Sequence, residues 1–224
     1  MKNRLRTSLA IFLVVAASAW GQENSSGSPP HSGFLSDYSK LEPAADREGV
    51  WLYLNKTADY SEYKKIMFDP IEVYLVPNPD YNGVQPGVLK RMTDGFYGSF
   101  LGALTPDYQI VHEEGPDVLR VRAAITGVQL AKSPLKPSDF IPIKAVYNLG
   151  RDVAGDAPMV AEMTAEMEVL DPDGNRLATA IANRKGNKTL KQGDQVTWED
   201  LQSITDYWAA GFRQRLDQLR DVSQ

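Results

Sequence analysis

Glu162, Glu166 and Glu168 recur at even spacing in MVAEMTAEMEVL, with Ala161, Met163, Ala165, Met167 and Val169 at the odd positions between them. A period of two describes a β-strand, so the apolar residues share one face and the carboxylates, with Thr164, the other. Such a row could accept a basic ligand, and two carboxylates facing each other about 5–9 Å apart could hydrolyse a glycosidic bond. A solvated sheet face is the simpler explanation. In VLRVRAAITGVQL, Arg120 and Arg122 form a second row, alternating with Leu119, Val121 and Ala123. Opposite-sign rows on neighbouring strands pair across a sheet for about 0.2–1 kcal/mol each, and that structural explanation is preferred.

Other chemistry is sparse. The two histidines are His31, in a polar segment, and His112, which reads as part of a strand, QIVHEE. A Ser-His-Asp triad or a histidine metal site would have to use His112, and an isolated strand histidine is more simply a sheet residue. Glu113 and Glu114 are adjacent in that strand and point to opposite faces, so they cannot act as a dyad. DPDGN, Asp171 to Asn175, resembles a fragment of a calcium loop but lacks the further ligands and the bidentate Glu at the twelfth position. It reads as a hairpin turn, with Pro172 presetting φ and Gly174 accepting a positive φ. No phosphate-binding glycine loop, nucleophile elbow or H-E-x-x-H motif occurs. No catalytic, cofactor-binding or metal-ligating residue is therefore assigned.

The candidate contact residues are aromatic: Trp198, Tyr207 and Trp208 in TWEDLQSITDYWAAGFRQRLDQL. Leu201, Ile204, Trp208, Phe212, Leu216 and Leu219 make the apolar stripe of a helix there. Thr197 and Asp200 nearly match a capping box at its start. The three aromatics cannot all face one core, so at least one could remain at the surface as a partner contact; sealing of the core edge by all three is the simpler explanation. A second helix is predicted from about Pro86 to Leu104, on the stripe Leu89, Met92, Phe96, Phe100 and Ala103. Gly95, Gly98 and Gly102 lie within it, each costing about 1 kcal/mol relative to Ala, which points to close approach of another backbone.

Extended structure is predicted for WLYLNKT and for YKKIMFDPIEVYLVP, with Pro70 at a strand start or edge. QIVHEE and VLRVRAAITGVQL read as a hairpin about Gly115-Pro116, and RLATAIANR pairs with the glutamate-bearing strand through DPDGN. IKAVYNLGRDVAG is read as a short helix. Phe34, Leu35 and Tyr38 in SGFLSDYSKLEP could dock on the core. The fold class that follows is α+β: a mainly antiparallel sheet with two or three amphipathic helices on one face.

Lys2, Arg4 and Arg6 precede an apolar run from Leu9 to Ala17 that ends in small residues, the pattern of a secretory signal peptide. The run is shorter than the roughly 20 residues that span a bilayer. Cleavage after Ala17-Ser18-Ala19 would release Trp20, and cleavage after Ala19-Trp20-Gly21 would release Gln22. The second frame is preferred, because it places the bulky Trp between small residues. Residues 1–21 are thus read as the leader, 22–31 as a flexible lead-in and 32–224 as a single globular domain. The chain contains no cysteine, which removes disulfides, thiol chemistry and lipid attachment to cysteine. Its formal net charge is −5, and loss of the basic leader makes it more acidic. Nucleic acid and anionic lipid surfaces are poor partners for such a chain.

Taken in order, SGFLSDYSKLEP, FDPIEVYL, GPDVLRVRAAITGVQL, AEMEVLDPDGNRLA and the terminal W-x-D…DYWA…F-x-x-R-L-D helix resemble the bacterial family of unknown function numbered 3313. Its members are described as outer-membrane or periplasmic lipoproteins. The resemblance covers nearly all of the mature chain and implies an envelope address, without carrying over catalytic residues. VVAASAWGQ departs from the family in having no lipobox cysteine. The leading expectation is a non-enzymatic envelope protein, a binding or assembly accessory factor with an envelope protein partner. A carboxylate-dependent hydrolase or carbohydrate-active enzyme is the alternative. A periplasmic small-molecule carrier, which would need an apolar pocket of about 300–1,000 Å³, is a weaker one. Cell fractionation and N-terminal sequencing should find a periplasmic or secreted protein, without lipid or transmembrane helix, beginning at Gln22; an intact Met1 in the membrane pellet would show the leader to be an uncleaved anchor.

Overall fold

The computed structural model describes residues 31–74, 86–132 and 158–222, apart from 106, 192, 193 and 195. The chain runs β1 (Glu42–Pro43), β2 (Val50–Leu54), β3 (Lys65–Phe68), β4 (Glu72–Val73), α1 (Pro86–Leu104), β5 (Gln109–Val111), β6 (Val118–Lys132), β7 (Met159–Leu170), β8 (Arg176–Leu190) and α2 (Trp198–Val222). The eight strands form one mixed sheet in the order β1-β2-β8-β7-β6-β3-β5, with β4 pairing β6 beyond the end of β3. Pairings from β1 through to β6 are antiparallel, whereas β3 and β4 are parallel to β6 and β5 is parallel to β3. The fold is α+β, with a mostly antiparallel sheet as expected.

Both helices cover the same face. Met92, Phe96 and Phe100 of α1 and Leu201, Ile204 and Ala209 of α2 pack on Ala123, Ile125, Ala161, Met163 and Ala165. The Phe96 and Phe100 rings stack at 4.9 Å. Burying each such side chain contributes roughly 1.5–3 kcal/mol. The cap of α2 forms with one change from the expected geometry. Asp200 Oδ2 accepts both the Thr197 amide N–H, at 2.9 Å, and the Thr197 hydroxyl, at 2.8 Å, and the same carboxylate takes the Lys188 ammonium. The DPDGN turn also forms: Asp171 Oδ1 accepts the amide N–H groups of Asp173 and Asn175, and Gly174 has φ 81°.

Three sequence expectations need correction. β5 and β6 are not a hairpin: β3 lies between them, parallel to both. The Gly115-Pro116 turn delivers the Asp117 carbonyl to the amides of Lys64 and Lys65, and the fully buried Ile66 of β3 fills the gap between Ile110 and Leu119. His112 therefore lies in an exposed bend after β5, and Glu113 and Glu114 follow it outside any strand. In YKKIMFDPIEVYLVP, Asp69-Pro70 separates β3 from β4 and Pro70 stands just before β4, in keeping with its expected place at a strand start. The carboxylate face of β7 is not solvated, as described below. The expected helix in IKAVYNLGRDVAG lies outside the described residues.

The helical glycines divide by environment. A Cβ on Gly95 would come within 2.2 Å of the Trp198 indole, whereas Gly98 and Gly102 would meet nothing within 4 Å. Close approach thus explains Gly95 alone, and the neighbour is a side chain rather than a backbone. Gly98→Ala and Gly102→Ala should each stabilise the protein by about 1 kcal/mol, raising Tm by roughly 2–4 °C in thermal melts, while Gly95→Ala should lower it.

Candidate functional site

Glu166 and Glu168 on β7 are each 1% exposed, so both carboxylates have left water. Their cover is the segment of residues 31–41, which crosses the sheet face opposite the helices. Phe34 and Leu35 pack there against Ala124 and Ile181, with Tyr38, Leu41 and Trp51 around them. Each carboxylate is satisfied by this strap. Glu166 accepts the Tyr38 hydroxyl at 2.6 Å and the Ser32 amide N–H at 3.2 Å. Glu168 accepts the Ser36 hydroxyl at 2.7 Å and an N–H of Arg122 at 2.8 Å. Burial first, and then the bond to Glu166, push the Tyr38 phenol above its ordinary value, which keeps it a donor.

The expected pairing of rows is seen where the register allows it. Arg122 stands opposite Glu168 and pairs with it, with Phe34 against the guanidinium at 5.1 Å. Arg120 instead makes a two-pronged pair with Asp69, at 2.9 and 3.0 Å. Glu162 lies outside the covered patch and accepts from Gln129 at 2.9 Å. The far end of the strap is fastened by Arg176, whose guanidinium donates to Asp37 Oδ2 at 2.8 Å and to the Asp37 carbonyl at 2.9 Å. Bonds from the Ser39 hydroxyl and amide, then from Arg176, hold the Asp37 carboxyl well below the usual carboxylate range. The glutamate row is thus a fastening for the strap, and a basic ligand would have to displace it.

The three candidate aromatics of α2 separate. Trp198 is half-buried against Gly95, in a shallow cleft between the helices that also contains Ser99 and Asp206. Tyr207 is 45% exposed, with the Arg184 guanidinium stacked 3.6 Å from its ring centroid. Trp208 is half-buried at the edge of the main core. Tyr207 and Trp208 both line an apolar groove that Trp198 does not reach.

That groove is concave and lined almost wholly by apolar side chains. One wall is β2 and β8, where register sets Val50 beside Ala182, Leu52 beside Ala180 and Leu54 beside Ala178. The other wall is α2, through Trp208, Phe212, Leu216 and Leu219; Phe96, Phe100 and Met167 also line it. The start of α2 approaches β8 closely at Gly186, where a Cβ would come within 3.1 Å of the Asp200 carbonyl oxygen, but from Ala182 to Ala178 β8 offers α2 only methyl groups. The three alanines are too small to fill the space between β2 and α2. A cavity of about 140 Å³ remains, and Trp208, Phe212 and Leu219 of the predicted core stripe stay half-buried beside it. The alternation ATA in β8 was visible in the sequence, but a small residue in a strand does not announce whether a neighbour fills the gap.

Arg47, Asp46 and Arg215 stand at the mouth. Arg47 lies against α2 at Gly211, where a Cβ would come within 2.8 Å of its Nη1. Arg47 and Arg215 share Asp46 at 3.8 and 3.9 Å, distances at the outer limit of an ion pair.

A profile of a protein family of unknown function, DUF3313, matches residues 30–212. An uncharacterized lipoprotein, YdcL, of Escherichia coli (strain K12) is 26% identical over 179 residues, covering 79% of this chain and 80% of the relative. Among solved structures, the PelC dodecamer from Paraburkholderia phytofirmans aligns with a TM-score of 0.40 and 11% identity, over 75% of this chain and 95% of that one. A DUF4136 family protein from Bacteroides thetaiotaomicron aligns with a TM-score of 0.36 and 8% identity, over 76% and 96%. No helix among the described residues is long and apolar enough to cross a membrane.

Removing the hydroxyl that faces Glu166 leaves a buried carboxylate short of one donor, at a cost of about 1–3 kcal/mol. Tyr38→Phe should therefore lower Tm and speed proteolytic cleavage within residues 32–38; an unchanged melt would mean that the strap contributes nothing to the fold.

Proposed function

The chain belongs to DUF3313, a family of proteins of unknown function, and on that premise we propose that it is a non-enzymatic binding protein of the bacterial envelope. The lipoprotein relative supports envelope association. The observation that carries the binding reading is the unfilled apolar groove between β2, β8 and α2. Tyr207 and Trp208 at this groove are the contact aromatics, while Trp198 plays a packing part against Gly95. An apolar cavity of about 150 Å³ is known to stay dry and to accept a benzene-sized group. The 140 Å³ here suits an apolar segment of a ligand rather than a whole drug-sized molecule.

The carboxylate-hydrolase reading has less support. Of the groove's lining residues only Asp46 bears a carboxylate, and Glu166 and Glu168 lie under the strap on the opposite sheet face. General acid–base hydrolysis of a glycoside uses two such groups across one substrate.

A neutral apolar dye tests the proposal directly. N-phenyl-1-naphthylamine should gain fluorescence on the purified protein, and Ala180→Phe, which fills the space beside Leu52, should weaken that binding at least tenfold while leaving Tm within a few degrees. Dye binding that survives both Ala180→Phe and Ala182→Phe would place the apolar site elsewhere and refute the assignment.

A further inference from the structure

The groove is chemically different at its two ends. At one end Leu54 stands beside Ala178, with Tyr60 and Leu219 completing an uncharged wall. At the other end Val50 stands beside Ala182, and the β1–β2 turn brings Arg47 across Gly211. Residues 207, 211 and 215 follow one another at four-residue steps, so they form a single line along α2. Three guanidinium groups gather on that line. Arg184 stacks on Tyr207, Arg47 lies over Gly211, and Arg215 follows one turn later.

These cations are under-neutralised. Arg47 and Arg215 share the single Asp46 carboxylate, whose side chain is 63% exposed, and no carboxylate pairs with Arg184 among the described residues. This happens in a chain whose formal net charge is −5. Local charge of the opposite sign to the whole, along the rim of an apolar trough and absent from its Leu54 end, is complementary to an anionic head joined to an apolar tail. The dimensions agree. Val50 to Leu54 spans about 13 Å of strand, and Tyr207 to Leu219 about 18 Å of helix, enough for an acyl chain to lie extended.

We infer that the groove takes a single-chain anionic amphiphile, its acyl chain lying between β2 and α2 and its carboxylate or phosphate head at Arg47, Arg184 and Arg215. This rests on the apolar-groove reading above and adds the ligand's class and orientation. The guanidinium groups suit either head, because each offers paired N–H donors to two oxygens. A Cβ at position 211 would come within 2.8 Å of Arg47 Nη1, so a larger residue there would shift the guanidinium.

Competition against N-phenyl-1-naphthylamine on the full chain tests the inference with three ligands: decanoate, lauroyl-lysophosphatidylglycerol and 1-decanol. At least one anionic ligand should displace the dye at a concentration tenfold or more below that of decanol, and the tighter of the two identifies the head as fatty acid or lysophospholipid. The double variant Arg47→Gln/Arg215→Gln should lose tenfold or more in affinity for the anions and less than twofold for decanol. Raising the salt concentration should mimic the variant in part. Equal competition by decanol and both anions on the unmodified protein would overturn the inference while leaving the apolar groove in place, and this arm does not depend on any variant folding. Failure of the dye itself to bind would instead remove the groove reading, and the amphiphile with it. Displacement by anions that the double variant leaves unchanged would also overturn it, since the head would then sit elsewhere.

Discussion

Two carboxylates buried side by side on the central strand set the terms for the rest of this fold. A charged group taken out of water without partners costs several kcal/mol, so Glu166 and Glu168 can occupy β7 only if donors meet them from outside the sheet. The strap of residues 31–41 supplies those donors from Ser32, Ser36 and Tyr38, and β6 adds Arg122. Because the donors arrive with Phe34 and Leu35 between them, satisfying the charges also buries apolar surface against Ile181 and Ala124. The two contributions are coupled: a displaced strap would expose both. One face of the sheet is thereby closed by a segment that has almost no regular structure of its own.

The opposite face is closed by helices, and there the cover is incomplete. α1 and α2 pack over β6, β7 and the Gly186 end of β8, with Ala123, Ile125, Met163 and Ala165 in one cluster with the phenylalanines of α1. From Ala182 to Ala178, beside β2, the residues of β8 facing α2 shrink to alanine. An interior this size ordinarily fills such space, because each missing contact lowers stability. A row of three alanines beside Val50, Leu52 and Leu54 keeps the space open instead. The groove is thus built from a deficit of side-chain volume, not from an inserted loop or a displaced helix, and its position is fixed by strand register alone.

Much of this was legible from periodicity. The α1 stripe gave its boundaries at Pro86 and Leu104, the α2 stripe gave its buried residues, and DPDGN gave the β7–β8 turn with its positive-φ glycine. What periodicity cannot supply is partners. An alternating strand with glutamates on one side looks the same whether water or a strap covers it. The distinction rested on Ser32, Ser36 and Tyr38, more than a hundred residues away. The parallel insertion of β3 between β5 and β6 was hidden for the same reason, since local turn chemistry at Gly115-Pro116 suggested a hairpin. Among the aromatics, spacing showed correctly that Trp198, Tyr207 and Trp208 diverge. It could not show that Tyr207 and Trp208 share a groove with a strand at the other end of the domain, because that groove exists only once Ala178, Ala180 and Ala182 are set beside β2.

An open apolar trough is a hazard for any protein in water, since exposed apolar surface invites self-association. The arginines at its mouth bear on that hazard as well as on selectivity. Arg47 lines part of the trough, its guanidinium lying beside Gly211. Like charges at the mouths of two copies repel, so the same residues that would attract an anionic head disfavour a second copy of the chain docking face to face. The neighbouring edge strand β1 is only two residues long, which leaves little ladder for another strand to join. Charge at the rim and a truncated edge both act against self-association beside the open groove.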